Sequence, residues 1–228
     1  MGAAIAKWIL LAAASLPAFA QAQDAIGRML LVRGVVEARA VNGTVRQLAR
    51  RSEFFEHEAI VVGPEGFASL RLSDDSRISL GPNTEFRFDS YRFASPAAPN
   101  AAIMHLVRGC FRAVSGSIGG SFGGEHRVDT AVATIRIRGT FHEAAIDGDV
   151  LYTGTLDGAT TVTSGAGSLD LGVGGNYDYS RTAAGSAPEG LLGPVAQLQC
   201  GQRSVTTGSA STAAPQAQTS STDASAGP

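Results

Sequence analysis

Gly119-Gly120-Ser121-Phe122-Gly123 has the Gly-x-Ser-x-Gly spacing of a nucleophile elbow, and Asp129 and His142 follow in the chain order of a hydrolase triad. That chemistry needs a strand before the serine and a helix after it, to expose Oγ and align an oxyanion hole. Here the continuation Gly124-Glu125-His126-Arg127-Val128 leads into a strand. A glycine-rich chain meets the pattern by chance, so Ser121 reads as part of a surface loop, and a serine hydrolase is only a remote alternative. The histidines His57, His105, His126 and His142 show no His-x-x-x-His interval. A metal at His142-Glu143 would need Asp129 close by, and none is expected. Asp74-Asp75 and Asp147-Gly148-Asp149 offer too few oxygens for calcium, which takes about six to eight. Gly172-Val173-Gly174-Gly175 lacks the lysine and following helix of a phosphate loop. The chain therefore reads as non-enzymatic, with no cofactor.

Two sets of residues remain as candidates. Arg71, Arg77 and Arg87 lie on the outward side of consecutive strands, and Arg136 and Arg138 share one side of theirs. Stacked strands would gather them into a ladder, and the guanidinium fork suits carboxylate or phosphate groups. The bland alternative is a solvated face with Asp74, Glu85 and Asp89 interleaved. The second set is Cys110 and Cys200, the only two cysteines, too few for an all-cysteine zinc site.

The ends of the chain bear on those cysteines. Residues 1–20 read as a signal peptide: Lys7, a short apolar run over residues 8–16, Pro17, then Ala18-Phe19-Ala20 or Ala20-Gln21-Ala22 as the cleavage site. The run is shorter than a membrane span requires, and no later stretch is apolar enough to span. A periplasmic or secreted protein is expected, with no membrane span after cleavage. In an oxidising compartment Cys110 and Cys200 are expected to pair, tying the segment after the last strand to a central one. Two separately buried thiols, or pairing with another chain, are the alternatives. Residues 204–228 are Ser, Thr, Ala and Gln with a single charged residue, Asp223, and read as a disordered tail.

Composition sets the class. Glycine is 28 of 228 residues, which favours turns over long helices, and 44% hydrophobic residues suffice for a core. A formal net charge of −2 provides no field for a polyanion, so nucleic acid is not an expected partner. Residues 23–140 hold fifteen Arg against twelve acidic residues, and residues 141–228 hold two against eight. The halves are expected to neutralise each other in part; the sharper reading is a basic face for an anionic partner.

Period-2 alternation recurs throughout. Asn42-Gly43 predicts a type I′ hairpin turn. Leu70, Leu72, Ile78, Leu80, Phe86, Phe88, Ile135 and Ile137 are the expected core, on short strands spaced about eight to ten residues apart. Residues 128–137 read as the most apolar strand, and Leu191 to Cys200 as one short helix. The expected fold is all-β, an elongated roll or solenoid-like stack of short strands, with a sandwich as the alternative.

The order of the pieces resembles the FecR domain family. Gly34-Val35-Val36 precedes the hairpin, and Ala59-Ile60-Val61-Val62-Gly63-Pro64 looks like the family's segment before its first rung. Asp74-Asp75-Ser76 and Gly81-Pro82-Asn83-Thr84 resemble its Asp-Gly-Ser and Gly-Pro-Asn-Thr core. Val107-Arg108-Gly109-Cys110-Phe111-Arg112 resembles its Gly-x-x-Arg strand, and residues 129–140, with Thr134, Ile137, Arg138, Gly139 and Thr140, its most diagnostic stretch. Asp75 and Arg136 stand where the family often has glycine. The resemblance implies a β domain over residues 25–200 in the cell envelope. Well-known members are transmembrane sensors that control a sigma factor, a role that transfers poorly to a chain read without a span. The expected function is a non-catalytic exported binding or sensing module whose partner is an envelope protein or polymer; a structural or adhesive envelope protein is the alternative.

Overall fold

In a computed structural model of the chain, residues 24–94, 99–119 and 124–200 are described, Thr140 by its backbone alone. The expected signal peptide at residues 1–20, Ser121 and the expected disordered tail at residues 204–228 lie outside the described residues.

Alternation builds the first strands. In β6 (Phe67–Leu72) Ala68, Leu70 and Leu72 face inward, and in β7 (Arg77–Leu80) Ile78 and Leu80 do. The two pair antiparallel across the Asp74-Asp75 turn. β8 (Glu85–Arg92) buries Phe86 and Phe88 but does not continue the hairpin. Instead β7 and β8 both pair with β9 (Ala101–Val114), at opposite ends of it.

That handover is the plan of the whole molecule. One fifteen-stranded sheet forms two layers that share three long strands. In the first layer, β4 (Glu53–Phe54), β1 (Gly27–Arg33), β6 and β7 lead to the second half of β9. The second half of β11 (Thr134–Asp147), the first half of β12 (Val150–Ser164), β14 (Tyr179–Ala183) and β15 (Glu189–Leu191) follow. In the second layer, β3 (Val45–Gln47), β2 (Val36–Arg39), β5 (Ala59–Val62) and β8 lead to the first half of β9 and to β10 (Glu125–Asp129). The remaining halves of β11 and β12 and then β13 (Gly167–Gly172) complete it.

Each shared strand changes layer at a glycine with positive φ: Gly109, Gly139 and Gly158. Strands that switch sheets need such local bends. At Gly109 the demand is also steric, because a Cβ would lie 2.5 Å from Thr84 Cα. Between the layers runs a row of rings. Phe54 stacks on Phe88 at 5.1 Å, and Phe86 meets Phe88 at 5.5 Å and Phe111 at 5.1 Å. Phe111 touches His142 at 5.6 Å, and His142 meets His126 at 6.1 Å. All eight side chains expected in the core are buried.

Several sequence expectations are corrected. Residues 128–137 are not one strand: β10 ends at Asp129 and β11 begins at Thr134. Thr130 makes the turn, donating from Oγ1 to the Ala133 carbonyl at 2.8 Å and accepting from the amides of Val132 and Ala133. A hydroxyl here does what glycine or asparagine does elsewhere. The Asn42-Gly43 hairpin forms, but not as type I′, since Asn42 has no positive φ. The Ala40 amide donates to the Thr44 carbonyl and Gly43 carries the left-handed position, the geometry of a three-residue loop with a bulge. The expected helix near the end is a single 3-10 turn, η1 (Ala196–Leu198).

Candidate functional site

The residues that carry the family resemblance hold the layers in place. Asp74 is buried in the β6–β7 turn. It accepts hydrogen bonds from the Ser76 amide at 3.1 Å, Ser76 Oγ at 2.8 Å, the Ile118 amide at 3.1 Å and the Tyr91 hydroxyl at 3.2 Å. Ser76 Oγ in turn accepts from the Gly116 amide. The turn is thereby stitched to β8 and to the loop after β9. Burial pushes the Tyr91 phenol up, so it remains a donor. Asp75, in the family's glycine position, has φ 72°, and Arg71 Nε bonds its carboxylate at 2.9 Å. In the Gly81-Pro82-Asn83-Thr84 turn Asn83 takes φ 56°. Thr84 Oγ1 donates to the Cys110 carbonyl and accepts from the Cys110 amide, both at 3.0 Å. Thr134 Oγ1 donates to Asp129 at 2.8 Å, Ile137 is buried, and the Thr140 backbone pairs with Gly158 beyond the Gly139 bend.

The five arginines expected to form one strip divide between two faces. Arg71 and Arg77 are directly opposite on β6 and β7, and Arg28 of β1 extends that row on the first layer. Arg87 belongs to the second layer, where it bonds Asp89. Arg136 stands opposite Arg127 on that same layer, and Arg138 lies 3.6 Å from Asp170. The separation follows from β8 pairing with β5 and β9 rather than with β7.

The residues of the hydrolase pattern do not converge either. His142 points from the first layer into the core, whereas Asp129 sits on the outer side of β10. Burial alone would raise the Asp129 carboxyl, but hydrogen bonds from Arg127 and Thr134 hold it below its ordinary value. Glu143 projects to the opposite side of β11 from His142, so His142, Glu143 and Asp129 do not share a site. His126 is buried at the seam of the layers. Desolvation lowers its pKa to about 4 against a small opposing pull from Asp74.

One cavity with convergent polar groups is not indicated by the sequence. Cys110 and Cys200 form a disulfide with Cα atoms 5.6 Å apart. It draws residues 192–200 back across the outer face of the first layer as a strap. The strap's own backbone hydrogen bonds are local, from Leu198 to Val195, Gln199 to Ala196 and Cys200 to Leu198. The buried side chain of Leu198 and the disulfide anchor it. Beneath it Arg112, Glu143, Gly154 and Tyr179 lie in register across β9, β11, β12 and β14. Arg112 Nε bonds Glu143 Oε2 at 2.8 Å and stacks over Phe141, 5.2 Å from the ring centre. Burial, and then the charges of Glu143 and Asp178, push the Tyr179 phenol up. Strap and sheet enclose a cleft of about 290 Å³, walled by Leu156, Val195 and Leu198.

No curated protein matches the chain. Two crystal structures of a candidate anti-sigma factor from Parabacteroides distasonis ATCC 8503, at 1.65 and 2.50 Å resolution, are similar to it at 14% identity and a TM-score of 0.45. Each match covers 56% of this chain and 55% of that one, so the chain spans about half the length of those structures. The family model described as FecR protein matches residues 58–161. That segment contains the Asp74 network, the Gly81 to Thr84 turn and the three layer-changing glycines, while the strap lies beyond it. Residues 58–161 of the chain are a FecR domain.

Proposed function

We propose that the chain is an exported, non-catalytic binding or sensing module of the cell envelope, in the periplasm or the medium. The Cys110–Cys200 bond carries this reading. It joins the only two cysteines of the chain, and such bonds persist in oxidising compartments. The signal-peptide pattern of residues 1–20 supports the same compartment. The FecR domain supports a sensing role. The cleft under the strap supports binding, because its lining combines a few polar groups with apolar walls and, among the described residues, places no nucleophile beside a base. The partner is an envelope protein or polymer.

Cell fractionation with N-terminal sequencing tests the proposal. The expected product is soluble outside the cytoplasm and begins near Gln21 or Gln23. An uncleaved chain retained in the inner membrane would overturn it.

A further inference from the structure

We infer that the cleft between the strap and the first layer binds a neutral saccharide unit; this rests on the envelope-module reading and names its ligand. Glu143 and Arg112 form the floor, directly opposite each other on β11 and β9. The Glu143 side chain points outward yet is only 3% exposed, because the strap covers it, while that of Arg112 is 29% exposed. Arg112 Nε at 2.8 Å and Nη2 at 2.6 Å both meet Oε2. Among the described residues, Glu143 Oε1 and Arg112 Nη1 have no further hydrogen bond. They present one acceptor and one donor side by side, on a floor whose charges cancel.

That arrangement selects by charge. An anion meets Glu143 and a cation meets Arg112, and separating the two strands a buried carboxylate, which is costly. A neutral ligand with adjacent hydroxyls needs no separation. One hydroxyl donates to Oε1 while its neighbour accepts from Nη1.

The walls suit a sugar ring. The Tyr179 ring packs against Gly154, where a Cβ would sit 3.0 Å from ring atoms Cδ1 and Cε1. The bare glycine thus fixes an aromatic platform beside the polar floor. The phenol, held protonated by burial and by Glu143, supplies a further donor. Leu156 and Val195 close the apolar side. A volume of about 290 Å³ is at the small end for ligand sites and accommodates a single ring. Half of the enclosure is strap, so the site depends on the closed disulfide.

Saturation-transfer NMR on the mature, disulfide-intact protein tests the site. The probes are glucose, galactose, mannose and N-acetylglucosamine, with glucuronate and glucosamine as charged controls. The expected result is saturation of at least one neutral sugar and weaker transfer to the charged ones. Tyr179→Ala, and separately reduction with alkylation, should each weaken binding at least ten-fold while the β circular dichroism signal is kept. Should Tyr179→Ala not fold, Val195→Arg fills the cleft from the strap without altering the sheet, and should abolish the signal. No saturation of any neutral sugar overturns the inference, as does binding that survives Val195→Arg or favours glucuronate. Correct export without sugar binding removes this site and leaves the envelope-module reading standing. A membrane-retained precursor removes that reading whatever the sugars do.

Discussion

Arg127 on the outer face of the second layer and Arg112 on that of the first each hold a carboxylate, in very different surroundings. Arg127 lies between Glu125 and Asp129 on a face paved with further charges, among them Arg87 with Asp89 and Arg138 with Asp170. Water reaches those pairs, and each contributes at most about 1 kcal/mol. Arg112 holds a glutamate that only 3% of its surface leaves accessible. Both arginines occupy outward positions of alternating strands. What separates them is a strap fastened by one covalent bond, which turns an ordinary surface pair into the floor of a cleft.

The difference can be broken at its source. Opening the Cys110–Cys200 bond releases a loop with a sequence separation of 90. By the chain-entropy relation this should lower stability by about 4–5 kcal/mol. Urea unfolding with and without reductant measures it; an unchanged midpoint would mean the strap contributes nothing. Phe88→Ala acts on both layers, since Phe88 touches Phe54 of one and Phe86 of the other. It should cost about 4 kcal/mol in one cooperative transition, and two separate transitions would show layers that fold independently.

His126 sits at the same seam, facing His142 and Asp74. In the folded protein its pKa is lowered from 6.5 to about 4. Above 6.5 it is neutral in both states; below that the unfolded chain takes up a proton that the folded one resists. Stability should therefore fall by about 3 kcal/mol as pH drops from 6.5 to 4, with no further loss from this group below. His126→Phe should remove that part of the slope in unfolding curves taken at several pH values. The smallest effects sharpen the comparison between faces. Arg112→Ala should cost about 2–3 kcal/mol by leaving Glu143 unpaired under the strap, and Arg127→Ala less than about 1 kcal/mol. Equal losses would mean that the strap does not isolate Glu143 from water.

Alternation made the inward residues of β6, β7 and β8 legible, because one side of those strands faces water. The turn at Thr130 is hidden because Ala131, Val132 and Ala133 look like strand residues, while the Thr130 amide and hydroxyl close it onto Ala133. Gly139 and Gly158 are bends where one strand passes between layers, and that depends on partners distant in sequence. The arginine strip divides for the same reason: β7 and β8 are neighbours in sequence but not in the sheet. The cleft drew on Arg112, Glu143, Tyr179 and the strap, which no local spacing connects. One signal was present. His142-Glu143-Ala144-Ala145 is buried at every position, and two adjacent alanines in a strand are what a sheet covered on both faces calls for.

The cleft requires a strap held covalently, and an oxidising compartment outside the cytoplasm keeps it so. Protein recovered from the periplasm or medium can be denatured and alkylated, with and without prior reduction, and its mass measured. The predicted result is a chain lacking the signal peptide, with no alkylated cysteine before reduction and both Cys110 and Cys200 alkylated after it. Alkylation of both cysteines without reductant would contradict the account.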